Sequence, residues 1–310
     1  MKIPRLLDGR LKFRHLALVD ALSRQGSVVS AAAELHVTQP AATRSLQELE
    51  DILGVPLYER GPRGVTPTVF GEAFTGHARA VLAQLAQAGR HVVELADADR
   101  GTVIVGTHLA GSNVLLPRAI AEIKRERPCL TVVVKEASPE ALLLELEAGR
   151  VDFVVGRLTA PAAERTVRRK LYDESVELVV RAGHTLAGRD GVELADLADY
   201  PWILPGAETA LRREIEEFFA RHAMQLPMNR VETTSFLTVR QLLLETDVIA
   251  ALPGLITRDD ARIVRLGVPL DPIGHSVGLT LWAGRALGPS AEALIESLEA
   301  TAAGMAAQNP

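Results

Sequence analysis

The stretch that decides the fold of the N-terminal part is SVVSAAAELHVTQPAATRSLQELEDIL, residues 27–53. Two helical patterns meet in it at the joint His36-Val37-Thr38. Ser27 and Thr38 stand where N-caps are favoured, and Pro40 lies in the first turn of the second helix, where an N–H is not needed. The second helix repeats apolar residues at helical spacing, at Ala42, Leu46, Leu49 and Leu53. The pattern predicts a helix-turn-helix or, alternatively, an αα-hairpin in a helical core.

The opposite face of the second helix carries short hydrogen-bonding groups and one cation. These residues are Gln39, Thr43, Arg44 and Gln47. Side chains of this kind suit base edges and phosphates in a major groove. The face therefore favours the helix-turn-helix interpretation.

The flanking residues extend this pattern on both sides. Leu11–Arg24 predicts an amphipathic helix that ends at Gly26. After Gly54, two β-like runs surround the turn Gly61-Pro62-Arg63-Gly64, which predicts a wing. Arg60 and Arg63 at its tip would contact backbone phosphate or the minor groove; the alternative is a surface hairpin with two solvated arginines.

A long helix is predicted from Thr68 to about Asp97 or Asp99. Apolar residues alternate at spacings of four and three along it: Phe74, Ala78, Val81, Leu85, Ala88, Val92 and Leu95. A strict heptad of this kind favours pairing with another helix, so we expect dimerisation through these seven residues. The alternative is a helix laid on its own domain.

The amino-acid composition limits the class of protein to which the chain can belong. The 310 residues suffice for two or three compact units, and 47% of them are hydrophobic. No apolar run approaches the length of a membrane helix, and the polar N-terminus does not resemble a signal peptide. A single cysteine, Cys129, excludes an intramolecular disulfide. We therefore expect a cytoplasmic protein without membrane association.

Charge is distributed unevenly along the chain. The net charge is −5, yet residues 1–68 contain nine Lys/Arg against seven Asp/Glu. A mildly positive head on an acidic body fits a DNA-binding part joined to a part with another task.

At this point the order of elements resembles the LysR-type transcriptional regulators. Residues 31–74 carry the match, through Thr38-Gln39-Pro40, Leu49-Glu50, Leu53-Gly54, Leu57-Tyr58-Glu59-Arg60 and Thr68-Val69-Phe70-Gly71. Pro67 departs from the leucine common in that family and would alter how the wing meets the long helix, without changing the family assignment. The resemblance implies a DNA-binding set of Ser27, Ser30, Thr38, Gln39, Pro40, Thr43, Arg44, Arg60 and Arg63.

From Gly101 onward, short β-branched runs alternate with helical patterns. Strands are predicted at 102–106, 130–135, 152–156, 176–181, 202–204, 230–233, 248–252 and 278–283. Helices are predicted at 114–127, 139–149, 211–221, 237–245 and 290–303. The alternation predicts a parallel α/β sheet, and two such lobes joined by crossing strands resemble the type-2 periplasmic-binding-protein fold of LysR-type effector domains.

A ligand is expected in a crevice at strand ends, over helix N-termini that offer free N–H groups. Turns at 107–113, 137–138, 204–207 and 233–236 would meet there. The predicted effector-binding residues are His108, Ala110, Ser112, Ser138, Leu204, Gly206, Thr234 and Phe236. Taken singly, each turn is better explained as an ordinary helix cap. The site suits a small polar or carboxylate-bearing effector, and the string Thr233–Phe236 resembles regulators of sugar uptake or aromatic-acid breakdown.

The sequence thus predicts an α/β protein of three parts. They are a winged helix-turn-helix at 1–68, a linker helix at 69–99, and an effector-binding domain at 100–310. Lobe I would comprise about 100–172 and 275–310, and lobe II about 173–274.

The predicted function is effector-dependent transcriptional regulation. The expected partners are promoter DNA, a small-molecule effector, a second copy in a homodimer or homotetramer, and RNA polymerase. No hydrolase elbow, P-loop, dinucleotide fingerprint or metal-binding spacing is present, so neither an enzyme nor a metal or cofactor is expected. An architectural DNA-binding protein is the other alternative, and it would not need so large a C-terminal body.

Overall fold

The computed structural model describes residues 6, 8–61, 64–96, 101–108, 114–158, 165–257, 260–270 and 273–307. Its N-terminal part contains helices α1 (Phe13–Gln25), α2 (Val28–Glu34) and α3 (Gln39–Leu53), then strands β1 (Tyr58–Gly61) and β2 (Gly64–Pro67). The two strands pair antiparallel. This arrangement confirms the predicted winged helix-turn-helix.

Three residues with positive φ end or join these helices. Gly26 ends α1 at φ 62° and Gly54 ends α3 at φ 72°, where glycine carries no steric penalty. His36 occupies the turn between α2 and α3 at φ 54°. The turn is closed by the Val37 N–H, which donates to the Ala32 carbonyl at 2.9 Å. The apolar faces of the three helices then meet in one core that includes Leu18, Leu22, Ala31, Ala42 and Leu49.

The wing is fixed to α3 and to the helix that follows it. Glu50 accepts hydrogen bonds from the Leu57 N–H at 2.7 Å and from the Tyr58 N–H at 3.2 Å. Gly71 lies so close to the wing that an added Cβ would stand 2.1 Å from the Leu57 carbonyl oxygen. Pro67 pairs with Tyr58 at the end of β2, so the departure from leucine leaves the hairpin intact.

Helix α4 (Val69–Ala96) connects the two ends of the molecule. Toward its start, Arg79 donates to Asp20 of α1 at 2.9 Å. Toward its end, Arg90 donates to Asp152 of the C-terminal part at 3.2 Å. Between them, an added Cβ on Gly149 would stand 2.5 Å from the Ala83 Cβ, so the helix lies directly on the C-terminal part.

The C-terminal part alternates strands and helices, as predicted. The strands are β3 (Thr102–Thr107), β4 (Thr131–Glu136), β5 (Phe153–Arg157), β6 (Thr166–Arg181), β7 (Trp202–Leu204), β8 (Arg230–Glu232), β9 (Ile249–Pro253), β10 (Ile263–Arg265) and β11 (Gly274–Trp282). The helices are α5 (Leu115–Glu126), α6 (Pro139–Glu147), α7 (Ala210–Arg221), α8 (Phe236–Glu245), α9 (Gly254–Thr257) and α10 (Pro289–Ala307), with a 3₁₀ turn at Leu194–Leu197.

The sheet is mixed, which corrects the purely parallel prediction. Its order is β4-β3-β5-β11-β6-β9-β7-β8, with β10 paired to β6. The pairs β3–β4, β3–β5, β7–β8 and β7–β9 are parallel, whereas β6 and β11 run antiparallel to their neighbours. Strand β6 begins ten residues earlier than predicted, because charged residues in its first half obscure the apolar pattern of a buried strand.

The two largest hydrophobic clusters among the described residues of the sheet lie at its two ends. One is built on β3, β5, α5 and α10, and the other on β7, β9 and α7. Strand β6 passes from the first core at Tyr172 to the second at Val176, and the chain returns between Ile273 and Val277. Among the described residues, no helix is long and apolar enough to cross a membrane.

Candidate functional site

The outward face of α3 presents the predicted DNA-binding residues. Gln39, Pro40 and Arg44 are exposed and Thr43 is half-buried, while Ala42, Leu46 and Leu49 on the opposite face are buried. Ser27 caps α2 by accepting from the Ser30 N–H at 3.5 Å, which places both serines at the start of that helix. These residues thus line one surface around the α2–α3 turn.

The start of α3 differs from the prediction in one detail. Thr38 is the N-cap residue, but within the described chain its side chain makes no capping hydrogen bond. Pro40 has no N–H to offer it, and only the Thr38 carbonyl is used, accepting from the Ala42 N–H at 3.0 Å. The remaining first-turn N–H groups of α3 are therefore available to an anion such as a DNA phosphate.

The wing approaches the same surface. The Val65 N–H donates to the Gly26 carbonyl at 3.0 Å and fixes the hairpin to the α1–α2 turn. Arg60 belongs to β1, but its side chain and all of Arg63 lie outside the described residues.

The predicted dimerisation residues of α4 lie in two different environments. Phe74 is partly buried and Ala78 is buried, and both pack on the core of the chain's own N-terminal part. A heptad spacing does not distinguish an intramolecular partner from an intermolecular one. The members that are exposed are Val81, Leu85, Ala88 and Val92. The side chain of Leu95 lies outside the described residues.

A cleft of about 710 Å³ separates the two cores of the C-terminal part. Of the predicted effector-binding residues, His108, Ser138, Thr234 and Phe236 line it. Ser138 caps α6 by accepting from the Ala141 N–H at 3.3 Å, and Thr209 caps α7 by accepting from the Arg212 N–H at 3.2 Å. Two capped helix N-termini thus meet at the cleft, as expected for a ligand site in a two-lobed fold.

Two predicted effector-binding residues among the described residues, Leu204 and Gly206, do not join them. Leu204 is fully buried in the core of the second lobe, and its neighbours Ile203 and Pro205 face the cleft instead. Successive residues of a strand point to opposite faces, so the assignment was off by one position. Gly206 lies beside the Glu208 carboxylate and is not part of the lining. Ala110 and Ser112 lie outside the described residues.

The charged residues of the cleft were missed by the sequence analysis. They are Glu136, Glu140, Arg157, Glu208 and Arg213. The only signal for Arg157 was a cation at the end of an apolar strand, Phe153 to Gly156. No local pattern reveals that this strand end meets a cleft built from distant segments.

Burial shifts the pKa values of two ionisable side chains near the cleft, Glu174 and His108. The side chain of Arg157 is only 7% exposed and that of Glu174 only 2%, and their nearest N–O distance is 3.6 Å. Burial raises the pKa of Glu174 to about 7, against the opposing effect of Arg157. Burial, together with the charge of Arg157, lowers the pKa of His108 to about 4, so this imidazole is neutral at pH 7. An added Cβ on Gly156 would stand 2.5 Å from the His108 Nε2, so glycine makes room for the ring.

The described side chains of the cleft indicate binding of a ligand more than catalysis. Within the ranges that the structure describes, no three His, Cys, Asp or Glu side chains are grouped so that they could hold a metal ion. The cleft combines capped helix ends, a buried guanidinium and apolar walls such as Phe236 and Ile256. This combination suits the binding of a small molecule.

Comparison with protein families matches both ends of the chain. The model described as "Bacterial regulatory helix-turn-helix protein, lysR family" matches residues 13–72, and that described as "LysR substrate binding domain" matches residues 96–303. The HTH-type transcriptional regulator PcaQ of Agrobacterium fabrum is 35% identical over 281 residues, which cover 89% of this chain and 90% of PcaQ.

Solved structures share the fold of the whole chain. Full-length OxyR from Pseudomonas aeruginosa superposes with a TM-score of 0.64 at 22% identity, over 94% of both chains. Full-length CbnR in complex with its target DNA superposes with a TM-score of 0.52 at 22% identity, over 94% of this chain and 100% of CbnR.

Proposed function

Because the chain belongs to the LysR family of transcriptional regulators, we propose that α3 supplies its sequence-specific contacts with promoter DNA. Gln39, Thr43 and Arg44 would contact base edges and the nearby phosphates, with Pro40 at the helix start. Ser27, Ser30, Thr38, Arg60 and Arg63 would support them on the DNA backbone. The observation that carries this proposal is the exposed polar face of α3 above a buried face of alanine and leucine.

We assign one task to each of three successive segments of the chain. Residues 1–68 bind DNA, 69–99 form the linker and dimerisation helix, and 100–310 bind the effector. Lobe I comprises about 100–172 and 275–310, and lobe II about 173–274. The two separate cores, joined at Tyr172–Val176 and Ile273–Val277, support these lobe boundaries.

The proposed functional form is a homodimer, further assembled into a homotetramer. The exposed apolar face of α4 at Val81, Leu85, Ala88 and Val92 would form the contact between helices, with Leu95 continuing it. Val81 is 46%, Leu85 50% and Val92 67% exposed, which is unusual for large apolar residues along one helix face. Two paired subunits would place two recognition helices on two half-sites of an interrupted palindrome.

The effector is proposed to bind in the 710 Å³ cleft against His108, Ser138, Thr234 and Phe236. Its binding would shift how paired dimers sit on promoter DNA and how they meet RNA polymerase. Because the target is promoter DNA, we place the protein in the cytoplasm.

The experiment is footprinting on the DNA upstream of the protein's own gene, against scrambled DNA at moderate salt. A preference of roughly a thousandfold with two protected half-sites is expected. Equal and strongly salt-sensitive affinity for both DNAs would contradict specific regulation and favour an architectural protein.

The dimer contact is tested separately by Leu85→Asp, with Gln84→Asp as the matched control on a neighbouring exposed position. We expect L85D to halve the particle mass measured by analytical ultracentrifugation, because an aspartate in an apolar interface is left without a partner. The Q84D protein should keep its mass. An unchanged particle mass for L85D would refute the proposed dimer contact.

A further inference from the structure

The guanidinium of Arg157 is the one feature of the cleft that points to the chemical class of the effector. We propose that Arg157 anchors a carboxylate group, so that the effector is a small organic acid. This inference rests on the proposed function, in that it names the ligand class of the effector cleft.

The first support is where Arg157 lies. It ends β5 at the base of the cleft and is part of the lining, yet its side chain is only 7% exposed. Its Nε is buried and, in the part of the chain that the structure describes, has no hydrogen-bond partner. A cation this buried is rare unless it is paired.

The second support is that its nearest carboxylate does not satisfy it. Glu174 stands 3.6 Å from the Arg157 Nε, beyond hydrogen-bond distance, and its own Oε2 is buried without a partner among the described residues. Guanidinium groups bind carboxylates through two parallel N–H···O bonds. A ligand carboxylate entering the cleft would supply the contact that Glu174 leaves unmade.

The third support is the arrangement of the other charges. Glu136, Glu140 and Glu208 are exposed, so water screens them, whereas Arg157 is buried beside Glu174, with Glu214 as a second carboxylate that acts on it. His108 adds no competing charge there at pH 7, because its pKa is lowered to about 4. The N-termini of α6 and α7 add partial positive charge at the walls. The deepest part of the cleft therefore favours an anion.

An alternative role for the pair is to hold β5 against the strand that connects the lobes. The test must therefore depend on the charge of the ligand. We would measure binding to the full-length protein by thermal shift and calorimetry, using matched acids and neutral analogues. The pairs are benzoate and benzamide, 3,4-dihydroxybenzoate and its amide, succinate and succinamide, and galacturonate and galactose.

We expect at least one acid to stabilise the protein and its neutral analogue to have no effect. Arg157→Met should weaken binding of that acid by roughly 10- to 150-fold, because a hydrogen-bonded charge pair is lost. R157M alone removes the cation beside the buried Glu174, so R157M/E174Q, which also removes that ionisable group, serves as the variant that preserves the fold. Arg265→Met, which removes an exposed arginine paired with Glu177 away from the cleft, is the matched control and should retain wild-type affinity.

Three outcomes overturn the proposal: a neutral analogue that binds as well as its acid, undiminished acid binding by both Arg157 variants, or no response to any of the four acids. Footprinting on promoter DNA needs no effector, so a specific footprint beside any of these outcomes leaves the proposed regulator intact. Loss of the footprint itself would instead refute the proposed function.

Discussion

The α3 surface and the effector cleft are built in opposite ways. The α3 surface comes from one contiguous stretch, and its functional side chains are exposed above a core of alanine and leucine. The cleft takes its residues from segments between His108 and Ile256, and its central charge lies at the base with little access to water. Exposed groups contribute to the free energy of DNA binding. Buried charges also affect the free energy of unfolding of the free protein.

The largest expected effect tests whether the two regions fold separately. Leu49→Ala should destabilise the N-terminal core by about 2–5 kcal/mol, because Leu49 is fully buried. Both tryptophans, Trp202 and Trp282, lie in the C-terminal part, so their fluorescence reports that part alone. We expect L49A to lower the first unfolding transition seen by circular dichroism and to leave the fluorescence midpoint unchanged.

The matched control is Leu178→Ala, at an equally buried position of lobe II. It should lower the fluorescence midpoint and leave the N-terminal transition unchanged. A fluorescence midpoint lowered equally by L49A would mean that α4 joins the two regions into one cooperative unit.

The next effect concerns the exposed surface. Arg44→Ala should weaken binding to the promoter site by about 1–3 kcal/mol, because a base or phosphate contact is lost. The fold should be unaffected, since Arg44 is exposed. Arg14→Ala removes an exposed arginine paired with Glu48 and controls for the loss of one positive charge. Gel-shift titration on promoter and scrambled DNA measures both; an equal loss on both DNAs would restrict Arg44 to phosphate contact.

The buried charges of the cleft predict two opposite pH dependences. Glu174 has its pKa raised to about 7 in the folded protein, so it favours the folded state at low pH, and this contribution is lost as pH rises from about 4.5 to 7. His108 has its pKa lowered to about 4, so its contribution is present above pH 6.5 and is lost as pH falls toward 4.

Urea denaturation, followed by tryptophan fluorescence at several pH values, separates the contributions of Glu174 and His108 to the free energy of unfolding. The stability difference between wild type and Glu174→Gln should fall as pH rises through the Glu174 window, and that between wild type and His108→Gln should rise through the His108 window. Each slope should stay below about 1.4 kcal/mol per pH unit, the limit for one proton. Parallel slopes for the two variants would contradict the buried-charge account of the cleft.

The smallest effect lies in the turn of the helix-turn-helix. His36 adopts φ 54°, a conformation that costs most side chains free energy and glycine little. His36→Gly should therefore stabilise the N-terminal part by up to about 1 kcal/mol. Ala33→Gly, at an exposed position inside α2, should destabilise it by about 1 kcal/mol. Circular dichroism measures both; a loss of stability in H36G would show that the histidine makes a contact that outweighs its backbone strain.

The N-terminal fold could be predicted because each of its signals is local. Glycine at Gly26 and Gly54, the cap at Ser27 and the leucine period of α3 each act within a few residues, and the structure uses all of them. The heptad of α4 is a local signal with two possible partners. Phe74 and Ala78 keep the period of the exposed face but pack on their own domain, because periodicity specifies a face and not its partner.

Apart from His108 after β3, the cleft could be predicted where a helix cap marked it. Ser138, Thr234 and Phe236 lie at helix starts and were found. In β7, the three residues Trp202–Leu204 are all apolar and all buried, so no alternation showed which of them faces the cleft. Arg157 was missed because its surroundings come from a strand, a helix start and a lobe crossing far apart in sequence.

Strand β5 carries a contact at each end. Before its first residue, Asp152 accepts from Arg90 of α4 and, at 2.7 Å, from the Ile104 N–H; its last residue is Arg157. At about 3.3 Å per residue the strand separates these ends by only some 17 Å. Thermodynamic linkage makes any coupling between binding at α4 and binding in the cleft reciprocal. If a promoter that breaks the Arg90–Asp152 contact changes the affinity of the cleft, occupancy of the cleft changes the affinity for that promoter by the same factor.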